Sequence, residues 1–168
     1  MDISLYKQVM GRYTTGVTVL TFSVDQVPAG MTANAFMSVS LAPPLVLTSI
    51  RSASRFTHHV RLGTRFGINV LADNQRSLCA HFGGRAVDGI RLPFLFYDRV
   101  PLLDGSLAHI VVKAVDIHPA GDHLLFISEV EYLKLGAQRK PLVYFSGLYP
   151  PIEAPTPVLS WSAAADSW

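Results

Sequence analysis

Between Gly30 and Ser54 the chain reads GMTANAFMSVSLAPPLVLTSIRSAS, a stretch with the look of buried strand that nevertheless crowds in hydroxyls, an amide and a guanidinium. Thr32, Asn34, Ser38, Ser40, Thr48, Ser49, Arg51, Ser52 and Ser54, with Thr57 just beyond, span two predicted strands and the start of a helix. A polar group buried without a partner costs about 1–3 kcal/mol, so a core strand does not accumulate them without something to pair with. Together they predict a polar groove whose donors and acceptors suit the hydrogen-bonding edge of a planar heterocycle. Ser52 and Ser54, at a helix start beside Arg51, suit a phosphate. Taken singly, each has an ordinary reading as a strand, cap or turn residue. The combination is what carries information.

Other chemistries lack their residues. There is no G-x-G-x-x-G after a strand, no G-x-x-x-x-G-K-[ST] and no G-x-S-x-G, so neither a dinucleotide fold, a P-loop nor a nucleophile elbow is supported. His58, His59, His81, His109, His118 and His123 show no metal-ligand spacing, and Cys79, the one cysteine, permits neither an internal disulfide nor a cysteine cage.

The elements that must position the groove follow from periodicity. Ile3, Tyr6, Val9, Met10 and Tyr13 predict a helix capped by Asp2, with Gly16 available to end it. GVTVLTFSV predicts a strand whose phase slip at Val19–Leu20 calls for a bulge or burial on both faces. VPAGMTANAF predicts the next strand, and PPLVLTSI another that starts after Pro43–Pro44. SASRFTHHVRL predicts a short helix capped by Ser52 or Ser54, TRFGINVL a strand, and DNQRSLCAHF a helix capped by Asp73 or Asn74. From Gly83 to Asp104 the pattern is that of an irregular loop. Two long β arms flank PAGD, PLVYFSGLY closes the set, and the Pro-rich segment 151–168 is a tail outside a single domain spanning 1–150. Trp161 and Trp168 in that tail suggest docking on a neighbouring surface. Strands in hairpins with short helices at the joints predict an antiparallel barrel.

The totals narrow the class. Of 168 residues 49% are hydrophobic and 15% charged, an apolar excess that predicts an oligomer interface or a ligand cleft. A net charge of +2 from scattered cations argues against nucleic acid, and no apolar run predicts a membrane span. With no secretory leader in MDISLYKQVMGRY, the expected location is cytoplasmic.

A flavin asks for the polar mixture above. The segments GVTVLTFSVDQVPAGMTANAFMSVSLAPPLVLTSI, FGINVLADNQRSLCAHF, AGDHLLFISEV and PLVYFSGLY stand in the order and spacing of the flavin reductase-like family, which the chain resembles over roughly residues 5 to 150. The resemblance implies an FMN-binding split β-barrel, a homodimer, and flavin in a groove near the subunit interface. It implies hydride transfer from NADH or NADPH to FMN or FAD for a partner flavin-dependent monooxygenase. Alternatives on the same scaffold are reduction of a cobalt corrinoid, ferric complex or quinone, or a flavin carrier without turnover. By position, Met31, Thr32, Ala33 and Asn34 resemble the ring-contacting strand; Ser49, Arg51, Ser52, Ser54 and Thr57 the phosphate side; and Phe82 and Arg85 the segment closing over the flavin. His123 and Tyr149 are similar to residues lining the nicotinamide side, with His123 as the catalytic candidate. A hairpin-capping histidine and an interface tyrosine are their ordinary alternatives. Relatives often carry a basic residue soon after the aromatic pair of the last strand, where this chain has Ser146.

Overall fold

A computed structural model describes residues 1–136 and 138–153, so docking of the two tail tryptophans lies outside the described residues. Helix α1 (Ile3–Met10) is followed by β1 (Thr15–Gly16), β2 (Thr18–Val24), β3 (Val27–Ala33), β4 (Phe36–Leu41) and β5 (Pro44–Arg51). After α2 (Arg55–His59) come β6 (Arg65–Val70), a 3-10 turn at Asp73–Gln75 and α3 (Arg76–Phe82). The remainder is β7 (Phe94–Tyr97), β8 (Val100–Leu103), β9 (Ala108–Ala120), β10 (His123–Leu135) and β11 (Val143–Tyr144). Among the described residues no helix is long and apolar enough to cross a membrane.

The structure is mainly β and antiparallel. Seven strands form one sheet in the order β3-β2-β6-β9-β10-β5-β4, flanked by the pairs β1–β11 and β7–β8. Its rims, β3 and β4, are consecutive in the chain and joined only by Asn34–Ala35, yet no ladder links them. The sheet therefore bends back on itself without closing into a barrel. Around Phe56 on α2, the rings of Phe22, Phe66 and Phe126 stand edge-on at 5.3, 5.2 and 5.2 Å. Edge-to-face pairs add about 0.5–1.5 kcal/mol each to the burial of their area. Val17 to Phe22 are all buried, so the phase slip in β2 reflects burial on both faces rather than a bulge.

A polar network ties β8 to this sheet. The Asn69 amide donates to the Val19 carbonyl (2.9 Å) and accepts from the Leu103 amide (2.7 Å), and His109 Nε2 meets the Leu103 carbonyl at 2.7 Å. A Cβ on Gly67 would lie 2.6 Å from Leu102 and 2.7 Å from the Pro101 carbonyl, so β8 crosses β6 too closely for any side chain.

Several sequence expectations need correction. The region 83–104, expected to be irregular, contains the β7–β8 hairpin, whose turn uses left-handed Asp98 and Arg99 (φ 43° and 68°). Without a glycine at that turn the hairpin signal is weak. VPAGMTANAF is broken at Asn34–Ala35 into two strands that lie on opposite rims. PLVYFSGLY yields only the short β11 plus a bridge between Phe145 and Leu148. Helix α1 stops at Gly11 rather than Gly16, and none of its residues is buried. For α3, neither Asp73 nor Asn74 caps; Gln75 Oε1 instead accepts from the Ala72 amide at 3.0 Å. Ser54 does cap α2, and Leu62 beyond it is exposed.

Candidate active site

The seam between the rims is where functional groups collect. Beside Asn34–Ala35 lies a cleft of about 640 Å³, bounded by Met10, Tyr13, Phe36, Met37, Leu47 and Tyr144 and carrying Thr14, Thr15, Thr18, Asn34 and Ser49 as its polar groups. Thr18 Oγ1 donates to the Ala33 carbonyl (2.7 Å), and the Ser49 amide donates to the Ala35 carbonyl (3.1 Å), so β2 holds the end of β3 and β5 holds the linker. Among the described residues Thr15 Oγ1 is buried without a partner. Neither the Asn34 amide nor the Ser49 hydroxyl makes a side-chain hydrogen bond among the described residues. A cleft of this size, apolar in its walls with a few polar groups free, matches the usual form of a small-molecule site.

Alternation on β5 decides what faces outward. Val46, Thr48 and Ile50 are buried, whereas Ser49 is half-buried and Arg51 exposed. Thr48 thus leaves the predicted groove: it is 1% exposed, in the core, with a hydroxyl unpaired among the described residues. Arg51 stands opposite His123 across the β5–β10 ladder, and Ser49 opposite Leu125.

At that end of the sheet the phosphate-side residues cluster around the β9–β10 turn. The Ser52 amide and hydroxyl both donate to the Asp122 carbonyl at 2.9 Å. Ser54 Oγ accepts from the Thr57 amide (3.4 Å), while Thr57 Oγ1 donates to the Ser52 and Ser54 carbonyls (2.8 and 2.7 Å). Thr57 is buried and acts as a brace for this segment. His123 Nδ1 lies 2.7 Å from Asp122 Oδ1, and the hydrogen bond and charge of the imidazole, with Arg51 beyond, hold the Asp122 carboxyl below its ordinary range. The tautomer that donates from Nδ1 leaves Nε2 as an acceptor.

A third group surrounds α3. Thr32 Oγ1 donates to the Cys79 carbonyl at 2.7 Å. A Cβ on Gly30 would meet the Phe82 ring at 2.9 Å, so Phe82 rests directly on the β3 backbone. Met31 and Ala33, alternating with these, pack toward the main core, which leaves only their main chain for an outside ligand. The Cys79 thiol donates to the Tyr149 hydroxyl (3.3 Å), and Arg76 lies over the Tyr149 ring. Burial and the Cys79 contact push the Tyr149 hydroxyl up to about 12, against a smaller opposing influence from Arg85. Phe82, Arg85 and Thr32 are therefore brought together with Tyr149. His123 and Tyr149, expected on one side, share no hydrogen-bonding or stacking partner among the described residues.

The sequence reading missed Thr15, Tyr144 and Cys79. A Thr-Thr-Gly run ahead of the β2 pattern was the available signal for the first. Cys79 and Arg76, three apart on one helix face, were the signal for the last.

Residues 10–153 match the family model described as flavin reductase like domain. The chain belongs to the flavin reductase-like family. Within it, the chain is 39% identical over 150 residues to an NADH-dependent flavin reductase of a Rhodococcus species, covering 88% of this chain and 85% of that protein. It is 35% identical over 159 residues to the reductase subunit HsaB of a flavin-dependent monooxygenase from Rhodococcus jostii, covering 91% and 80%. The solved flavin reductase PheA2 superposes with a TM-score of 0.87 at 37% identity, over 92% of this chain and all of that one. The Streptomyces globisporus NADH:FAD oxidoreductase SgcE6, solved with NAD and FAD fragments, superposes with a TM-score of 0.82 at 30% identity, over 90% and 93%.

Proposed function

We propose that this flavin reductase-like chain oxidises NADH and reduces a flavin bound in the cleft at Asn34–Ala35, for use by a flavin-dependent monooxygenase. The observation that carries the site is the cleft itself, where apolar walls meet an orphaned Thr15 hydroxyl and the free groups of Asn34 and Ser49. Those groups fit the hydrogen-bonding edge of an isoalloxazine. Flavin, when bound, supplies the hydride acceptor.

The chain's own part is binding and orientation. Thr15, Asn34 and Ser49 fix the ring edge, aided by the main chain of Met31, Thr32 and Ala33. Arg51, Ser52 and Ser54 hold the phosphate end, braced by Thr57, and Phe82 and Arg85 flank the β3 side. His123, oriented by Asp122, offers Nε2 to the nicotinamide carboxamide and sets its approach to the ring; near-contact geometry of this kind supplies most of what such a reaction needs. The architecture this reading favours is the FMN-binding split β-barrel, with the open seam as its split.

A homodimer fits the same picture. The apolar residues of α1, with Met37, Val39 and Leu41 on the β4 rim, are exposed in one copy and suit a second. NADH as electron source suits a cytoplasmic setting, and the reductase-subunit name of the HsaB relative supports a monooxygenase partner.

Titration with FMN and FAD by flavin fluorescence, followed by anaerobic stopped-flow mixing with NADH or NADPH, tests the proposal. Saturable binding and bleaching of the oxidised flavin band are expected. Binding without bleaching would leave a flavin carrier, and no binding would remove the flavin altogether.

A further inference from the structure

Helix α3 is held to the sheet by an arrangement that flavin binding does not itself require. On its sheet side, the Cys79 carbonyl accepts from Thr32, and Phe82 lies on Gly30. Tyr149 lies against the helix face that carries Arg76 and Cys79, with the guanidinium 5.3 Å from the ring centroid and the thiol, itself buried beside Val17, Val19 and Leu71, 3.3 Å from the hydroxyl. Tyr149 also meets Tyr144 edge-on at 5.6 Å, and Tyr144 both pairs with Thr15 and lines the cleft. A rim strand has neighbouring backbone on one side only, so β3 depends on α3 for its other support. Asn34 follows directly from that rim.

We propose that Tyr149 is a positioning residue, a clasp that closes over Cys79 and Arg76 to hold α3 against β3 and so fixes the Gly30–Asn34 edge. The part of this that concerns flavin rests on the reductase reading above. Tyr149 then acts on flavin affinity through α3, without touching nicotinamide. Cys79 serves as the inner half of the clasp. A serine there would still donate to the Tyr149 hydroxyl, whereas an alanine would not.

Four variants test it: Tyr149→Phe, Cys79→Ala, Cys79→Ser and the Tyr149→Phe/Cys79→Ala pair. The readouts are amide hydrogen exchange of residues 30–34 in the flavin-free protein, FMN affinity, and steady-state kinetics with NADH. Tyr149→Phe and Cys79→Ala are each expected to speed exchange at the β3 edge and to weaken FMN binding about three- to fivefold, the scale of one lost hydrogen bond. The loss should appear in flavin affinity with kcat at saturating flavin lowered less than twofold. The pair should lose no more than either alone, since both remove one contact. Cys79→Ser should keep wild-type values.

Unchanged exchange at residues 30–34 in both single variants would overturn the clasp, even if the wild type reduces flavin. So would an NADH KM raised in Tyr149→Phe with flavin affinity intact, which would put the hydroxyl on nicotinamide. If the wild type binds no flavin while exchange still responds, the clasp stands and the reductase reading falls.

Discussion

The two sides of the seam treat their polar residues in opposite ways. On the β3–α3 side, the Thr32 hydroxyl, the Cys79 thiol and the Tyr149 hydroxyl form a chain of internal contacts. At the cleft, among the described residues, Asn34 and Ser49 have free side-chain groups and Thr15 has a buried oxygen with no partner. The first pattern is that of a scaffold whose polar atoms satisfy one another. The second is that of a surface completed by something else, because a native structure leaves few buried polar atoms unpaired. Residue type alone does not separate the two, since both sides are rich in hydroxyls.

Substitutions on either side should separate along the same line. The largest effect is expected from Asn34→Leu, which removes both ring-edge hydrogen-bonding groups at once. FMN affinity should fall at least about tenfold, near 1.4 kcal/mol, with the melting temperature unchanged. Unaltered affinity would take Asn34 out of the site. Thr32→Val should do the reverse, costing about 1 kcal/mol of folding stability in a urea titration, with a smaller change in FMN affinity. An equal loss of both would erase the contrast between the two sides.

The pH responses should be smaller. Tyr149 ionises at about 12 in the folded chain, against about 10 for an ordinary tyrosine. Since the folded state holds the proton more tightly, this stabilisation is whole below pH 10 and drains away as pH rises through 12, which denaturant melts across that range should show. Asp122 works in the opposite sense and least of all. Its carboxyl is held below the ordinary value by His123, so the stabilisation is present above the usual carboxylate range and is lost as pH falls below it. The pair is exposed, and Asp122→Asn should lower melting slightly near neutral pH and match the wild type in acid, where the carboxyl is already protonated.

Much of this was legible in the sequence, for reasons specific to each element. Alternation and β-branched content marked β2, β5, β6, β9 and β10, Asp2 announced α1 as its cap, and the pair Ser52 and Ser54 announced α2, which Ser54 caps. The β7–β8 hairpin escaped because its turn relies on aspartate and arginine in a conformation that glycine or asparagine normally signals. The assignment of Thr48 to the groove failed for another reason. Thr48 and Ser49 differ by one residue, and which of them faces the core is settled by register with β4 and β10, a long-range fact. The gathering of Thr15, Asn34 and Ser49 at one cleft is likewise a product of the sheet's bending back on itself, which no local pattern contains.

At Asn34–Ala35, the short passage from β3 to β4, the chain itself spans the opening of the sheet. A guest seated there would rivet the two margins, and its binding energy would be felt across the whole domain. A flavin at a hundred times its dissociation constant would add about 2.7 kcal/mol to unfolding. Amides on β3 and on β4, strands that share no ladder, should then slow their exchange in step.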